Sequence, residues 1–351
     1  NKINFEIDNL VKNQGSIYSI QIAHIHEKAA DIFNTVGKYG LATLYSLLAM
    51  ETHAHLAYKK AEVKHTDENL EKAYTLLVRY FNIANQYFNG ILVNISAKEK
   101  YYYIAERYSL LAKELYRIYT FKKVYKYASK AIYVNEKTAA LYKLAESELY
   151  FEEHSLLAQS ARANFAFDCA INYPTIENWK RAAKILETNK KIFNNMKNKN
   201  EYLITITDLN LKSAYRKISS LNLKTKPTPE NENFFFNCTM DHADACFNAA
   251  SRWEKGEAVN KNMSSEKISS DIAQEYTSAG NTWKKMAEFL EYKISINPQF
   301  KDSKNFNKIV GIYSKAAEAF KKIGDNNNVK LCEDKINYCN SIAKTLSAEN
   351  K

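Results

Sequence analysis

Residues 29–37 read AADIFNTVG, and residues 316–324 read AAEAFKKIG. In both stretches two alanines are followed by an aromatic residue, three and four positions later, and by a closing glycine. The alanines allow a second helix to approach closely, the aromatic side chain fills the groove, and the glycine ends the helix in a left-handed conformation. The pattern predicts a helix, a tight turn and a second helix at each place.

Two weaker copies of this pattern are predicted between these stretches. The first spans residues 104–135 and turns at residues 120–121, and the second spans residues 138–170 and turns near Glu152. Ala112 and Ala145 take matching positions in the two copies, 33 residues apart. A fixed period of this size indicates repeats that bury their apolar faces by stacking.

The four helix pairs, near residues 25–60, 104–135, 138–170 and 306–345, resemble the tetratricopeptide-repeat (TPR) superfamily. Residues 313–336, YSKAAEAFKKIGDNNNVKLCEDKI, also resemble the looser repeats of the soluble NSF attachment proteins. The resemblance covers about half of the chain. It implies an all-α fold, a TPR-like α-solenoid of stacked antiparallel helix pairs.

Helical periodicity predicts further helices between these pairs, at residues 67–87, 176–196, 202–218, 234–253 and 269–296. Thr66 and Thr175 each precede such a run and can cap its first turn. Ser96, with Glu99 three residues later, fits the capping-box pattern and predicts a helix that begins beside it.

Residues 221–233 are the predicted linker, because Pro227 and Pro229 forbid a continuous helix there. They would separate an N-terminal helical repeat region, 1–220, from a C-terminal helical repeat region, 234–351. One continuous solenoid is the alternative.

Composition favours long helices with short connections, since 351 residues contain only 8 Gly and 4 Pro. No apolar run reaches the roughly 20 residues that cross a bilayer, so we expect a soluble protein, cytoplasmic or secreted into a host cytosol. The five cysteines include no CxxC pair, and two pairs share a helix face at spacings of eight and seven residues. This spacing predicts buried core thiols in a reducing compartment.

Catalytic motifs are absent from the sequence: we find no phosphate loop, nucleophile elbow, zinc-protease motif or kinase set. A cluster of metal-ligand type comprises His24, His26, His53 and His55. His26 and His53 could meet in a helix hairpin, with Glu27 and Glu51 nearby. Histidines two apart on a helix point about 200° apart, however, which favours ordinary packing or surface histidines. We therefore predict neither an enzyme nor a metal or cofactor site.

Positive charge is concentrated in one stretch of the chain. The formal net charge is +11, and residues 180–226 hold twelve Lys and Arg residues against three acidic residues, a net +9. Such a local field attracts acidic protein, anionic membrane or nucleic acid, although lysine-rich helices are often simply solvated. The candidate partner-binding residues are Lys180, Arg181, Lys184, Lys190, Lys191, Lys197, Lys199, Lys212, Arg216 and Lys217.

The sequence therefore predicts a non-catalytic protein–protein interaction scaffold or adaptor that binds a partner peptide or helix, with no small-molecule substrate evident. The alternatives are a membrane-traffic adaptor related in shape to attachment proteins and a secreted bacterial effector, each using the basic surface. Nucleic-acid binding is the third choice, because aromatic residues interleave only sparsely with the basic ones.

Overall fold

The computed structural model of the protein describes residues 19–64, 66–90, 97–122, 127–196, 199–258 and 263–349. Throughout these ranges the regular secondary structure is helical, which confirms the all-α prediction. The α-helices are α1 (Ile20–Thr35), α2 (Tyr39–Val63), α3 (Asp67–Gly90), α4 (Ala97–Lys122), α5 (Ala128–Leu144), α6 (Glu148–Asn172), α7 (Ile176–Asn195), α8 (Glu201–Thr225), α9 (Pro229–Glu254), α10 (Ser265–Ile296), α11 (Ser303–Lys322) and α12 (Asn326–Glu349). A short 3-10 helix, Pro298–Phe300, lies between α10 and α11.

Both predicted glycine turns are confirmed. Gly37 has φ +72° between α1 and α2, and Gly324 has φ +73° between α11 and α12. After Gly324, the backbone N–H of Asp325 donates to the carbonyl of Phe320 at 3.0 Å, which satisfies an open carbonyl at the end of α11. The Phe320 ring packs against Gly280 of α10, so the aromatic residue of the repeat does fill a groove.

The two weaker copies are placed wrongly. α4 continues through the predicted turn at residues 120–121, and α5 runs unbroken through the predicted boundary between the copies. The turn between α5 and α6 lies at residues 145–147, where Glu146 has φ +54°, and Glu152 is inside α6. Ala112 is buried within α4 whereas Ala145 caps α5, so the 33-residue spacing does not relate equivalent positions. Because the residue with positive φ in this turn is a glutamate and not a glycine, the sequence pattern does not place the turn correctly.

The remaining predicted helices correspond to α3, α7, α8, α9 and α10. Thr66 and Thr175 are confirmed as caps: their hydroxyl oxygens accept from the backbone N–H of Asn69 at 3.3 Å and of Asn178 at 3.1 Å. Ser96 lies outside the described residues, and α4 begins directly after it.

The chain divides into two compact units, unit 1 (Asn1–Arg162) and unit 2 (Ala163–Lys351), with the boundary inside α6. The predicted linker at residues 221–233 lies within unit 2. There Pro227 follows the end of α8 and Pro229 is the first residue of α9, which packs directly on α8. Arg252 of α9 forms an ion pair with Glu201 of α8 at 2.7 Å, so the break is a tight turn between packed helices.

In unit 1, each helix from α1 to α5 packs on the next one. Buried tyrosines fill the spaces between them, among them Tyr80, Tyr108 and Tyr127. Phe33 of the first repeat stacks on Tyr45 of α2, with ring centroids 5.3 Å apart.

In unit 2, each helix from α7 to α12 packs on the next, and polar contacts also join two pairs of non-consecutive helices. Lys315 of α11 reaches Asp244 of α9 at 2.9 Å, and Lys335 of α12 reaches Glu291 of α10 at 2.7 Å. Helices α9 and α11 therefore lie side by side, as do α10 and α12. This is the stacking of antiparallel helix pairs in an α-solenoid, as predicted.

Four of the five cysteines are buried and all five are free thiols, which confirms the prediction of core cysteines. None of the helices in the described ranges combines the length and the apolar character needed to cross a membrane.

Candidate functional site: a basic face on helix α7

Helix α7 is amphipathic, and its buried side fixes which side faces outward. Three of its large apolar residues, Trp179, Leu186 and Phe193, are almost fully buried. Because a helix repeats every 3.6 residues, the residues between these positions must point away from the core.

Four cations occupy this outward side. Lys180, Arg181, Lys184 and Lys191 are all exposed, and the three lysines follow one line along the helix because they are spaced by four and seven residues. Eleven residues of helix span about 16 Å. We call these four residues the α7 basic face. No acidic residue in the described ranges forms an ion pair with any of them.

Two carboxylates lie beside these cations, and Glu177 is exposed one turn before Lys180 and Arg181. Glu187 is exposed between Lys184 and Lys191, and it accepts a hydrogen bond from the Tyr215 hydroxyl of α8. That hydrogen bond is the main reason why the pKa of Tyr215 is raised to about 12. Glu187 is thus held toward α8, and the face keeps an excess of positive charge.

The other predicted site residues point elsewhere. Lys190 pairs with Asp208 of α8, Lys212 pairs with Asp241 of α9 at 3.0 Å, and Arg216 contacts His242 of α9 at 3.3 Å. Lys199 and Lys217 are exposed but do not belong to α7, and Lys197 lies outside the described residues. A stretch that is continuous in sequence is therefore divided among several surfaces, and the α7 basic face is the part where four unpaired cations lie together.

Several lysines elsewhere in unit 2 hold helices together. Lys322 pairs with Glu254 at 2.8 Å, and Lys284 donates to the side-chain oxygen of Asn328 at 2.9 Å. Lys308 lies over the Phe236 ring, 4.3 Å from its centroid. The α7 basic face differs from these lysines because its four exposed cations lie together on one helix without an ion pair.

Helix α9 carries a buried polar cluster beside α8. His242 and Cys246 of α9 are in contact, with the Cys246 sulfur 3.8 Å from His242 Nδ1. Burial and the Arg216 charge lower the pKa of His242 to about 4, and burial and Glu275 raise the pKa of Cys246 to about 12. The histidine is neutral and the thiol protonated near neutral pH, so the pair lacks the thiolate that a cysteine nucleophile needs.

A second buried cluster joins α4, α5 and α6 in unit 1. His154 Nδ1 lies 3.0 Å from the Asn135 side-chain oxygen, and His154 Nε2 lies 2.9 Å from the Ser109 hydroxyl. The Asn135 amide nitrogen donates to the carbonyls of Ala131 and Ala112, which leaves its oxygen to accept from His154 Nδ1–H. All three polar side chains are buried, so this Ser–His–Asn arrangement clamps helices together. Sequence reasoning missed it, because its members lie 19 to 45 residues apart.

The predicted histidine cluster is rearranged in the structure. His24, not His26, lies beside His53: their ring centroids are 6.3 Å apart, and both contact the Glu27 carboxylate, at 2.8 and 2.9 Å. His26 is buried against Tyr45 instead, and burial lowers its pKa. Across the described ranges, no group of three or more His, Cys, Asp or Glu residues is arranged to hold a metal ion.

No protein-family model matches this chain, and no curated protein matches it. Among solved structures, a de novo designed helical repeat protein is similar at 14% identity, over 82% of this chain and 98% of that one, with a TM-score of 0.24. A circular tandem repeat protein with a novel repeat topology is similar at 10% identity, over 94% of this chain and 78% of that one, with a TM-score of 0.27. These TM-scores are too low to carry an argument, so the fold assignment rests on the helices and contacts described above.

Proposed function

We propose that this protein is a non-catalytic protein–protein interaction scaffold, and that the α7 basic face binds an acidic segment of a partner protein. The observation that supports this most is the concentration of unpaired cations on α7. Lys293, Lys315 and Lys335 pair with carboxylates of neighbouring helices, whereas four exposed cations lie together on α7 with no acidic partner in the described ranges.

An acidic helix fits this face better than other anions do. The line of Lys180, Lys184 and Lys191 matches the line that carboxylates at i, i+4 and i+11 would form on a facing helix. Single-stranded nucleic acid would need aromatic side chains for base stacking, and Trp179 and Phe193 of α7 are both buried. The opposed charges would speed association and select the partner more than they would raise affinity.

The proposal extends to the class of repeat and the compartment. The glycine turns at Gly37 and Gly324 support a TPR-like array with attachment-protein similarity at residues 313–336. Five free cysteines support a reducing compartment, the cytoplasm or a host cytosol.

Fluorescence anisotropy with a labelled acidic helical peptide of about 20 residues tests the proposed function. The peptide carries glutamates at i, i+4 and i+11, and a second peptide of equal composition distributes them around the helix. We expect tighter binding of the first peptide. K184E/K191E should weaken it about tenfold or more, because two exposed attractions are replaced by repulsions.

The matched control is K330E/K344E, which changes the net charge equally at two exposed lysines of α12. This variant should bind the peptide nearly as well as the wild type. Equal losses in the two variants would mean that net charge alone attracts the peptide, and the proposed function would then be wrong.

A further inference from the structure

Most of the large exposed apolar residues described in unit 2 lie toward one end of its helices. The connections 173–175, 226–228 and 297–302 lead into α7, α9 and α11, and antiparallel packing places all three at the same end. Two observations support this: Lys293 near the end of α10 pairs with Glu232 in the first turn of α9, and Leu221 near the end of α8 packs against the apolar cluster that includes Trp179 at the start of α7.

We call these three connections and the adjoining helix ends the proline edge, because they contain all four prolines of the chain. These are Pro174, Pro227, Pro229 and Pro298. Six exposed apolar residues lie at this edge, with these exposed fractions: Ile171 54%, Tyr173 71%, Phe234 38%, Tyr292 61%, Ile296 54% and Phe300 46%. In the described residues of the opposite connections, 196–200, 255–264 and 323–325, no large apolar residue is exposed.

Cations surround these apolar residues. The exposed ones at or near the edge are Lys180, Arg181, Lys224, Lys226, Lys301 and Lys304. Four carboxylates also lie there: Glu177, Glu230, Asp302 and Glu232, of which Glu232 pairs with Lys293. Asp302 accepts from the backbone N–H of Asn305 at 2.7 Å as a helix cap, and backbone and Thr228 hydrogen bonds lower the pKa of Glu230. The edge therefore carries an excess of positive charge beside apolar side chains.

We propose that the proline edge is a peripheral membrane-binding surface that inserts its apolar side chains among anionic lipid headgroups. Apolar residues ringed by Lys and Arg are the composition that binds the interface of an anionic bilayer. The side chains stand on separate connections, which a bilayer interface accepts, whereas a protein interface needs a contiguous packed core.

The prolines suit this role for two reasons. Proline has no backbone N–H, so these connections bring fewer unsatisfied donors to the edge of the hydrocarbon region. A fixed proline φ also holds the apolar side chains in place before they insert, which lowers the entropy lost on binding.

Vesicle co-sedimentation tests this proposal on the full chain. The vesicles are phosphatidylcholine alone or phosphatidylcholine with about 30% phosphatidylserine. We expect binding to the anionic vesicles and a loss of at least tenfold in the Y173S/I296S/F300S variant. L331S/Y338S, which replaces two exposed apolar residues of α12, should bind like the wild type.

A second variant separates charge from insertion: K224A/K226A should weaken binding to the anionic vesicles about fivefold per lysine. Circular dichroism melting confirms that each variant is folded. Wild-type protein that stays in the supernatant overturns the proposal, as does a Y173S/I296S/F300S variant that sediments like the wild type. If the wild type binds no vesicles but forms a dimer, and the Y173S/I296S/F300S variant is a monomer, the edge would instead bind a second copy of the chain. The variant should keep its affinity for the acidic peptide, so failure of one proposal does not imply failure of the other.

Discussion

Protonation of His154 should destabilise the protein, and the size of the effect follows from its surroundings. The neutral ring satisfies both nitrogens, toward Asn135 and Ser109, while the Tyr142 ring stacks on it with centroids 5.7 Å apart. Burial is the main cause that lowers its pKa to about 4, while the charge of Glu153 raises the pKa and that of Lys113 lowers it.

The sign and size follow from linkage. The pKa is about 6.5 in the unfolded chain and about 4 in the folded protein, so between these values the unfolded chain binds more protons. The stabilisation is complete above pH 6.5 and is lost as the pH falls toward 4. Between pH 8 and pH 5 the loss from this one histidine is about 2 kcal/mol.

Urea unfolding at pH 8 and pH 5, followed by circular dichroism, measures this loss in the wild type and in His154→Gln. The variant keeps an amide in place of the ring but cannot titrate, so its loss should be about 2 kcal/mol smaller. Carboxylates titrate equally in both proteins and cancel in the comparison. Equal losses would refute the reasoning, as would an NMR titration that places the His154 pKa near 6.5.

Further predictions concern packing, turns and thiols. Gly280→Ala should lower the unfolding free energy by about 1–3 kcal/mol, because the new Cβ would lie 3.0 Å from the Phe320 ring. Gly311→Ala, in open space, should raise it by about 0.5–1 kcal/mol. Thermal melts in which both variants shift the melting temperature in the same direction would contradict this. Gly324→Ala should cost about 1–2 kcal/mol, since φ +73° disfavours any side chain, and an unchanged urea midpoint would count against the turn. In the folded protein, at most Cys169 should react rapidly with a thiol reagent at pH 8, whereas all five cysteines should react after denaturation. Rapid reaction of two or more thiols in the folded protein would contradict the buried positions of the other four.

Much of the fold could be predicted from the sequence because its signals are local. Gly37 and Gly324 predict the turns in which they lie, and Thr66 and Thr175 predict the helices that follow them. The turn at Glu146 could not be predicted in this way, since glutamate rarely adopts a positive φ and its neighbours continue the helical periodicity.

The candidate site could be predicted only in part. The excess of Lys and Arg at residues 180–226 is visible in the sequence, but the pairing of Lys212 with Asp241 depends on how α8 packs against α9. Such contacts decide which cations remain free. The apolar character of the proline edge has the same origin, because Tyr173 and Phe300 lie far apart in sequence and meet at one edge through helix stacking.

The most direct test of the central claim is a lysine footprint of the complex with the acidic helical peptide. Acetylation rates are measured by mass spectrometry, with and without the peptide, for each exposed lysine. Binding at the α7 basic face predicts that Lys180, Lys184 and Lys191 are protected together, while Lys330 and Lys344 of α12 react at unchanged rates. Protection that is equal at all five lysines, or that is absent from the three on α7, would contradict the account.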